Sequence, residues 1–306
     1  MDTEPPYSPI RPGRQDSMDA RGLRMQLHHW PAAGPQRHAP LVLLHGWMDC
    51  GASFQFVVDE LHRLEGAART IVAPDWRGFG LSQGGGGDSY WFPDYLADLD
   101  ALLQHLAPRS AVDLLGHSMG GNVAMLYAGV RPQRVRRLVN VEGFGLPESR
   151  PDQAPERLRQ WLDELQSPVR LRSYPTLDEV ATRIADAAPR LGLPRARWLA
   201  AHWATRGDDA RWHLNADPAH TRVNPILYRK DEVLATWRRI EAPLSWVEGG
   251  RSDPAQFWGS RYTREDFEAR LAVVPKQVRL RLPDCGHMVH QEQAAALAAH
   301  LHDFLH

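Results

Sequence analysis

The most informative segment of the sequence is Val112–Asn122, which reads VDLLGHSMGGN. Val112–Leu115 is mostly apolar, as in a strand that is buried on both faces of a parallel sheet. The residues after the stretch have the pattern of a helix. Gly116 and Gly120 flank Ser118 and allow the chain to turn sharply without Cβ clashes. The stretch therefore predicts a strand, a tight turn and a helix, with the Ser118 hydroxyl exposed at the turn.

This turn fits the pattern G-x-S-x-G, in which the serine is a nucleophile. The start of the following helix carries partial positive charge, which stabilises an oxyanion. A glycine-rich turn without a catalytic role is the alternative. We favour a nucleophilic Ser118 because a strand precedes the turn and a helix follows it.

Short apolar runs alternate with helical patterns from Gly22 onward. This alternation predicts an α/β fold with a mostly parallel sheet that is covered by helices on both faces. Helices are expected near residues 92–106 and at the C-terminus. The predicted strands are Leu23–His28, Leu41–Leu44, Thr70–Ala73, Val112–Leu115, Val135–Val141, Leu244–Val247 and Val278–Leu282.

One region breaks the alternation and suggests an insertion. Residues 146–240 lack convincing strands and are rich in tryptophan, which predicts a helical cap with an apolar or aromatic pocket or, equally, tryptophans that only pack the cap onto the sheet. The core is then expected to comprise residues 21–145 and 241–306. Residues 1–20 hold several prolines and polar residues and are predicted to be a disordered tail.

A serine hydroxyl needs a base to act as a nucleophile near neutral pH. His287 is the best candidate among the histidines, because it follows the last predicted strand, Val278–Leu282, at the sheet edge where the other site residues are expected. The chain order of nucleophile, acid and histidine also fits this position.

Two carboxylates compete to orient this histidine. Asp253 follows the strand Leu244–Val247 in a glycine-rich turn, and a carboxylate there would hold the imidazole in the required tautomer. Glu142 ends the preceding strand and is the rival. We prefer Asp253 and keep Glu142 as the alternative acid.

An oxyanion hole requires two backbone N–H groups. One is expected from Met119, the residue after the nucleophile, and the other from Trp47 in the loop after the strand Leu41–Leu44. The indole of Trp47 is also expected to form part of the pocket wall.

The composition excludes several other classes. Lys and Arg number 36 against 37 Asp and Glu, so no global field attracts nucleic acid. Cys50 and Cys285 cannot form a disulfide framework or a four-ligand zinc site alone. His300 and His302 are two residues apart and make a poor metal pair. We therefore expect no metal, no cofactor, no nucleic-acid partner and no membrane span, in a cytoplasmic protein with reduced thiols.

These motifs resemble those of the α/β-hydrolase superfamily, and more specifically its serine hydrolase-like branch with a helical cap. The resemblance rests on the segments HGWMD, DWRGFGLS, GHSMGG, G-x-x-D and GH, in that order along the chain. It covers about residues 22–145 and 242–306, and it assigns the catalytic roles to Ser118, Asp253 and His287. Serine at the turn argues against relatives that attack with a carboxylate.

The resemblance implies a hydrolase that cleaves the acyl bond of a small carboxylic ester through an acyl-enzyme. A carbon–carbon bond hydrolase of diketone-type substrates is the second interpretation. A ligand-binding protein that has lost catalysis on the same scaffold is the third, because a fold does not determine a function. The sequence does not indicate an oligomeric state.

Overall fold

The computed structural model of the chain describes residues 4–306. Within this range the chain forms eleven strands: β1 (Arg14–Ala20), β2 (Leu23–Trp30), β3 (Leu41–Leu44), β4 (Ile71–Pro74), β5 (Val112–His117), β6 (Val135–Val141), β7 (Ser173–Tyr174), β8 (Ala204–Arg206), β9 (Trp212–Leu214), β10 (Leu244–Gly249) and β11 (Gln277–Leu282). Its α-helices are α1 (Gln55–Glu65), α2 (Phe92–Leu106), α3 (Met119–Val130), α4 (Ala154–Leu165), α5 (Leu177–Ala187), α6 (Leu193–Trp203), α7 (Lys230–Trp237), α8 (Pro254–Trp258), α9 (Arg264–Leu271), α10 (Val289–Glu292) and α11 (Ala294–Leu305). None of these helices is long and apolar enough to cross a bilayer.

Eight strands form one sheet in the order β1-β2-β4-β3-β5-β6-β10-β11. Neighbouring strands are parallel from β4 to β11, and β2 pairs antiparallel with both β1 and β4. Every predicted strand is present, and the predicted α/β fold with a mostly parallel sheet is confirmed.

Helices cover both faces of this sheet, which explains why its central strands are apolar at almost every position. Strand β3 is buried along its whole length. On one face, α2, α3, α7 and α9 pack into one apolar cluster with the sheet. On the other face, α1 packs against α11 and α5 packs against α6, and all four helices share one apolar cluster. The parallel strands all present their carboxyl ends at one edge, where the loops carrying the candidate site begin.

The prediction of a disordered tail over residues 1–20 is wrong for residues 14–20. They form β1, which pairs with β2 along its whole length. A two-residue turn at Arg21 and Gly22 makes the hairpin possible, because both residues have positive φ (53° and 79°), as the tight turns of hairpins require. The polar pattern of β1 suits an edge strand that is open to solvent on one side. Residues 1–3 lie outside the described residues.

The segment between β6 and β10 contains α4 to α7, as expected for a helical insertion. It also contains a small antiparallel sheet in the order β7-β9-β8, so the expectation that it lacks strands is wrong. These strands have only two or three residues each, too short for a periodic pattern to reveal them. The boundaries 21–145, 146–240 and 241–306 remain a prediction.

One histidine of this insertion is held between two aromatic rings from outside it. The ring of His220 stacks on Phe79 and on Tyr90, with 3.7 Å between centroids in each pair. Its Nε2 lies 3.1 Å from the carbonyl oxygen of Arg77, to which it donates. Burial lowers the pKa of His220 from 6.5 to about 4, so the ring is neutral near neutral pH. Neutral His220 therefore helps to fix the insertion onto the rest of the molecule.

We predict that His220 makes folding sensitive to acid. Since its pKa is depressed in the folded state, its contribution is complete above about pH 6.5 and is lost as the pH falls toward 4. The loss is up to about 3 kcal/mol of the free energy of unfolding. Urea unfolding of the wild type and of His220→Gln, at a pH above about 6.5 and at a pH near 4, measures this loss. The free energy of unfolding of the variant should fall less on acidification. Equal losses in the two proteins would contradict this role.

Candidate functional site

Ser118 sits at the sharp turn that the sequence predicts, between the end of β5 and the start of α3. Its backbone has φ 52° and ψ −116°, a conformation that non-glycine residues rarely adopt. The Ser118 N–H donates to the carbonyl oxygen of Val141 at 2.8 Å, and the Ser118 carbonyl accepts from Asn122 N at 3.1 Å. These bonds hold the strained residue between the two elements.

The glycines on either side of Ser118 are required by close backbone contacts. A Cβ atom on Gly116 would lie 2.3 Å from the carbonyl oxygen of Gly120. A Cβ atom on Gly120 would lie 2.2 Å from the carbonyl oxygen of Leu44, at the end of β3. Both distances are too short for any side chain, so the pattern G-x-S-x-G is a packing requirement of this turn.

The carboxylate that meets His287 is that of Glu142. Glu142 Oε2 lies 3.1 Å from Nδ1 of His287, and the carboxylate is buried. It also accepts the N–H of Gly249 at 2.6 Å and the hydroxyl of Ser252. Glu142 follows β6 with a positive φ of 61°, which turns the chain as the strand ends.

The expectation that Asp253 meets His287 is wrong in this structure. Asp253 caps the N-terminus of α8, where its Oδ1 accepts the N–H of Ala255 at 2.8 Å. Its Oδ2 accepts from Arg264 Nε at 3.2 Å. The neighbouring Ser252 is the residue of this loop whose side chain contacts Glu142.

A sequence signal for this outcome exists. Asp253 is followed by Pro254 and, three residues on, by Gln256, and Gln256 bonds back to the N–H of Asp253 at 3.3 Å. An aspartate with proline at the first helical position and Glu or Gln at the third is a typical helix start. Asp253 fits both this helix-start pattern and the motif G-x-x-D, and in the structure it caps α8.

The residues predicted for the oxyanion hole lie beside the serine. Trp47 and Met119 line the same cavity as Ser118, Glu142 and His287. The loop before Trp47 runs close to Ser118, since a Cβ atom on Gly46 would lie 3.2 Å from Cβ of Ser118. The structure therefore brings together every sequence-predicted site residue except Asp253.

A buried histidine supports the loop of the candidate base. His117 Nε2 donates to the carbonyl oxygen of His287 at 2.9 Å. Burial, with His290 and His287 nearby, lowers the pKa of His117 well below its usual range, so the ring is neutral and keeps its proton for this bond. The residue before Ser118 thus holds the backbone of His287, a contact that the sequence did not reveal.

The cavity above Ser118 has a volume of about 470 Å³ and a mainly apolar wall that is rich in aromatic residues. The indole of Trp47 lines it, as expected, and donates to the carbonyl oxygen of His220 at 3.2 Å. Other polar groups on the wall belong to Asn122, Asn224 and Arg222. The aromatic residues of the wall are Trp47, Tyr90, Trp91, Phe92, Tyr95, Phe144, Phe257 and Trp258.

The tryptophans of residues 146–240 do not form this wall. Trp203 donates to Asp49 at 2.9 Å, and Trp237 is buried in the apolar cluster with α3. Trp198 packs against Tyr7. Of the two expectations for these tryptophans, the structure favours packing, while the aromatic pocket is built by residues outside the insertion.

Comparison with known proteins agrees with the observed fold. Residues 39–294 match the family model described as alpha/beta hydrolase fold. The thioesterase domain from the curacin biosynthetic pathway superimposes with a TM-score of 0.81 at 26% identity, over 95% of this chain and 99% of that domain.

Two curated relatives match shorter stretches. A serine hydrolase-like protein of Danio rerio is 34% identical over 37% of this chain, and 2-hydroxy-6-oxo-2,4-heptadienoate hydrolase of Pseudomonas putida is 35% identical over 42% of it. These stretches span 33% and 44% of the lengths of the two relatives. The similarity is thus partial along each of them.

We predict that Glu142, rather than Asp253, supports the reactivity of Ser118. Glu142→Gln should slow covalent labelling of Ser118 by a fluorophosphonate by ~10²-fold or more, because the imidazole loses its anionic partner. Asp253→Asn removes a carboxylate of the same type from the neighbouring loop and should label at close to the wild-type rate. The opposite ranking of the two variants would return the role to Asp253.

Ser252 should act as a positioning residue for Glu142. Ser252→Ala removes one hydrogen bond to a buried carboxylate that keeps two other partners, and we expect labelling about tenfold slower. Ser252→Thr keeps the hydroxyl and should restore most of the rate. Circular dichroism and thermal unfolding check that both variants are folded. If the alanine and threonine variants are equally slow, volume rather than the hydroxyl is what matters.

Proposed function

Because the chain belongs to the alpha/beta hydrolase fold family, we propose that it is a serine hydrolase that cleaves an acyl bond through an acyl-enzyme on Ser118. The observation that carries the proposal is the shared cavity. A strained serine, a histidine and a carboxylate bonded to that histidine all line it. A serine nucleophile needs a base and a group that orients the base, and these three residues supply one side chain for each role.

In the first half of the reaction, His287 Nε2 accepts the proton of the Ser118 hydroxyl as Oγ attacks the carbonyl carbon. Glu142 holds the Nδ1–H of the same ring and stabilises the imidazolium that forms. Oγ forms a bond to the carbonyl carbon, and the bond from that carbon to the leaving group then breaks. His287 gives its proton to the leaving group as it departs. A water molecule then gives a proton to His287 and attacks the acyl carbon, the bond from that carbon to Ser118 Oγ breaks, and His287 returns the proton to Oγ as the carboxylic acid leaves.

The negative oxygen of each tetrahedral intermediate is stabilised by the backbone N–H groups of Trp47 and Met119. The first N–H groups of α3 have no partner within the helix, and they carry the partial positive charge of its N-terminus. Loss of one such donor costs about 10²–10³ in turnover in serine hydrolases. Each step uses side chains of this chain and water, so the proposal includes no cofactor.

The cavity supports a small substrate with an apolar or aromatic acyl group. Its volume of about 470 Å³ suits a small molecule, and its wall is mainly apolar and rich in aromatic rings. We propose a carboxylic ester as the substrate class.

A carbon–carbon bond hydrolase is the second candidate. It is favoured by the partial similarity to a relative that is named 2-hydroxy-6-oxo-2,4-heptadienoate hydrolase. Arg222 and Asn224 add polar groups to the cavity wall, which would suit a substrate with several oxygen atoms. A panel of p-nitrophenyl esters with increasing acyl length, assayed beside a vinylogous 1,5-diketone, separates the two candidates.

We predict that Ser118→Ala abolishes hydrolysis of p-nitrophenyl esters and labelling by a fluorophosphonate, while the protein remains folded. The reason is that no other group supplies the acylated oxygen. Release of p-nitrophenolate and mass spectrometry of the labelled protein are the measurements. Ser82→Ala, at another turn that follows a strand, is a matched control and should leave both signals in place.

Hydrolysis by Ser118→Ala at the wild-type rate would overturn the proposal. A wild-type chain that is folded but neither labels nor hydrolyses any compound of the panel would instead favour a ligand-binding protein on this scaffold.

A further inference from the structure

Three side chains of the kinds that bind metal ions, Glu65, His302 and His306, lie close together and far from Ser118 in the sequence. His302 and His306 are four residues apart at the end of α11, a spacing that brings side chains to one face of a helix. Glu65, the last residue of α1, faces them. Its Oε2 lies 3.5 Å from Nδ1 of His302 and 3.5 Å from Nε2 of His306. Two imidazoles and a carboxylate from two helices thus converge on one point.

The hydrogen bonding of His306 leaves a lone pair at this point. Its Nδ1 lies 2.5 Å from the carbonyl oxygen of His302, and a carbonyl only accepts, so Nδ1 carries the proton. In the neutral ring Nε2 is then unprotonated and faces Glu65 Oε2. The repulsion between this lone pair and the carboxylate is relieved either by a second proton on the ring or by a metal ion between the two atoms. Histidines that bind metals commonly donate their other N–H to a carbonyl in this way.

His302 supplies a second nitrogen without a partner. Its Nδ1 is buried and makes no hydrogen bond among the described residues, although the carboxylate of Glu65 is nearby. A buried polar atom without a partner is costly, and a bound ion at this point would supply the partner that the nitrogen lacks. The His302 side chain is itself 37% exposed, so the cluster is reachable from solvent.

The spacing of the three atoms fits a metal ion. In tetrahedral coordination with bonds of about 2.1 Å, neighbouring ligand atoms are about 3.4 Å apart. The two 3.5 Å distances at Glu65 match this edge, and all three ligand atoms lie within 4.8 Å of one another. We propose that Glu65, His302 and His306 form a binding site for a divalent transition-metal ion of the zinc type.

The ligands decide the class of ion. Imidazole nitrogens with one carboxylate favour zinc, cobalt, nickel or copper over magnesium and calcium, which prefer oxygen. Glu65 also pairs with Arg69 at 2.7 Å, and Arg69 is shared with Asp113 at 3.3 Å. Arg69 also donates from Nη2 to Oε2 of Glu65 at 3.2 Å, and Asp113 pairs more closely with Arg136, at 2.6 Å. Oε2 of Glu65 would therefore accept from Arg69 and bind the ion at the same time. The His38 ring packs edge-on against His306, with 4.4 Å between centroids.

A second group of histidine and carboxylate side chains, Asp49, His117 and His290, differs because its carboxylate already has several hydrogen-bond partners. Its carboxylate already accepts from Ser53 Oγ at 2.9 Å and from the indole of Trp203 at 2.9 Å. It also accepts from Cys50 N at 2.8 Å and lies 3.3 Å from His290 Nε2. The carboxylate is thus fully engaged in a hydrogen-bond network of the core.

The proposed site departs from the sequence expectation of no metal, which considered His300 with His302. The pair that shares a helix face is His302 with His306, and its third ligand comes from a helix far away in sequence. A bound ion would join α11 to α1, two helices that pack together over the sheet. The site does not depend on the proposed hydrolase activity.

The test uses the full chain without a polyhistidine tag. Zinc titrated into the wild type should bind at one ion per chain by calorimetry, and cobalt should give the visible absorption of a tetrahedral site. At a metal concentration about a hundred times Kd, the melting temperature should rise by on the order of 5 °C. The double variant His302→Gln/His306→Gln should lose the heat, the spectrum and the thermal shift.

Two controls keep the result specific. His105→Gln changes a histidine in the last turn of α2 and should leave zinc binding intact. Protein first labelled at Ser118 by a fluorophosphonate should still bind zinc, which separates this site from His287 in the cavity. Absence of zinc binding in the wild type, or equal binding in the double variant, would overturn the proposal.

Discussion

The rest of the site depends on the backbone of one residue. Ser118 has a left-handed φ of 52°, which costs on the order of 1–3 kcal/mol for a residue with a side chain. The sheet can hold this strain because β3, β5 and β6 pack side by side, with the carbonyl oxygens of Leu44 and Val141 against the turn. This conformation places Ser118 at the start of α3 and in the lining of the cavity.

The parallel sheet then brings the remaining groups to the same edge. Glu142 follows β6, Ser252 follows β10, and His287 follows β11, and these strands are neighbours. Since parallel strands end at one edge, residues far apart in sequence meet without any long loop. Glu142 is positioned by partners from two different segments, and the imidazole is held at its side chain by Glu142 and at its backbone by His117. The proposed chemistry is therefore a consequence of strand order.

Much of this arrangement was predictable from sequence because the strongest signals are local. Apolar runs such as Leu41–Leu44 mark buried strands, and the glycines around Ser118 mark a turn that only small residues permit. The choice between Asp253 and Glu142 was not predictable from spacing alone. Both follow strands of the sheet, and what separates them is a side-chain competition, in which Arg264 and the start of α8 hold Asp253.

Other features escaped prediction because they depend on contacts between distant segments. The strand β1 is polar, and only its pairing with β2 stabilises it. The aromatic wall of the cavity comes from loops at the sheet edge rather than from the tryptophan-rich insertion. The cluster of Glu65 with His302 and His306 joins two helices that are far apart along the chain. Local sequence patterns do not show which distant segments will contact each other in these three cases.

The most direct test of the proposed chemistry is a crystal structure of the chain after reaction with a small phosphonate. We expect a bond from phosphorus to Ser118 Oγ, with the phosphoryl oxygen about 3 Å from the N–H groups of both Trp47 and Met119. The His287 ring should remain on Glu142. A phosphonate attached to another residue, or a phosphoryl oxygen directed away from both N–H groups, would contradict the proposed mechanism.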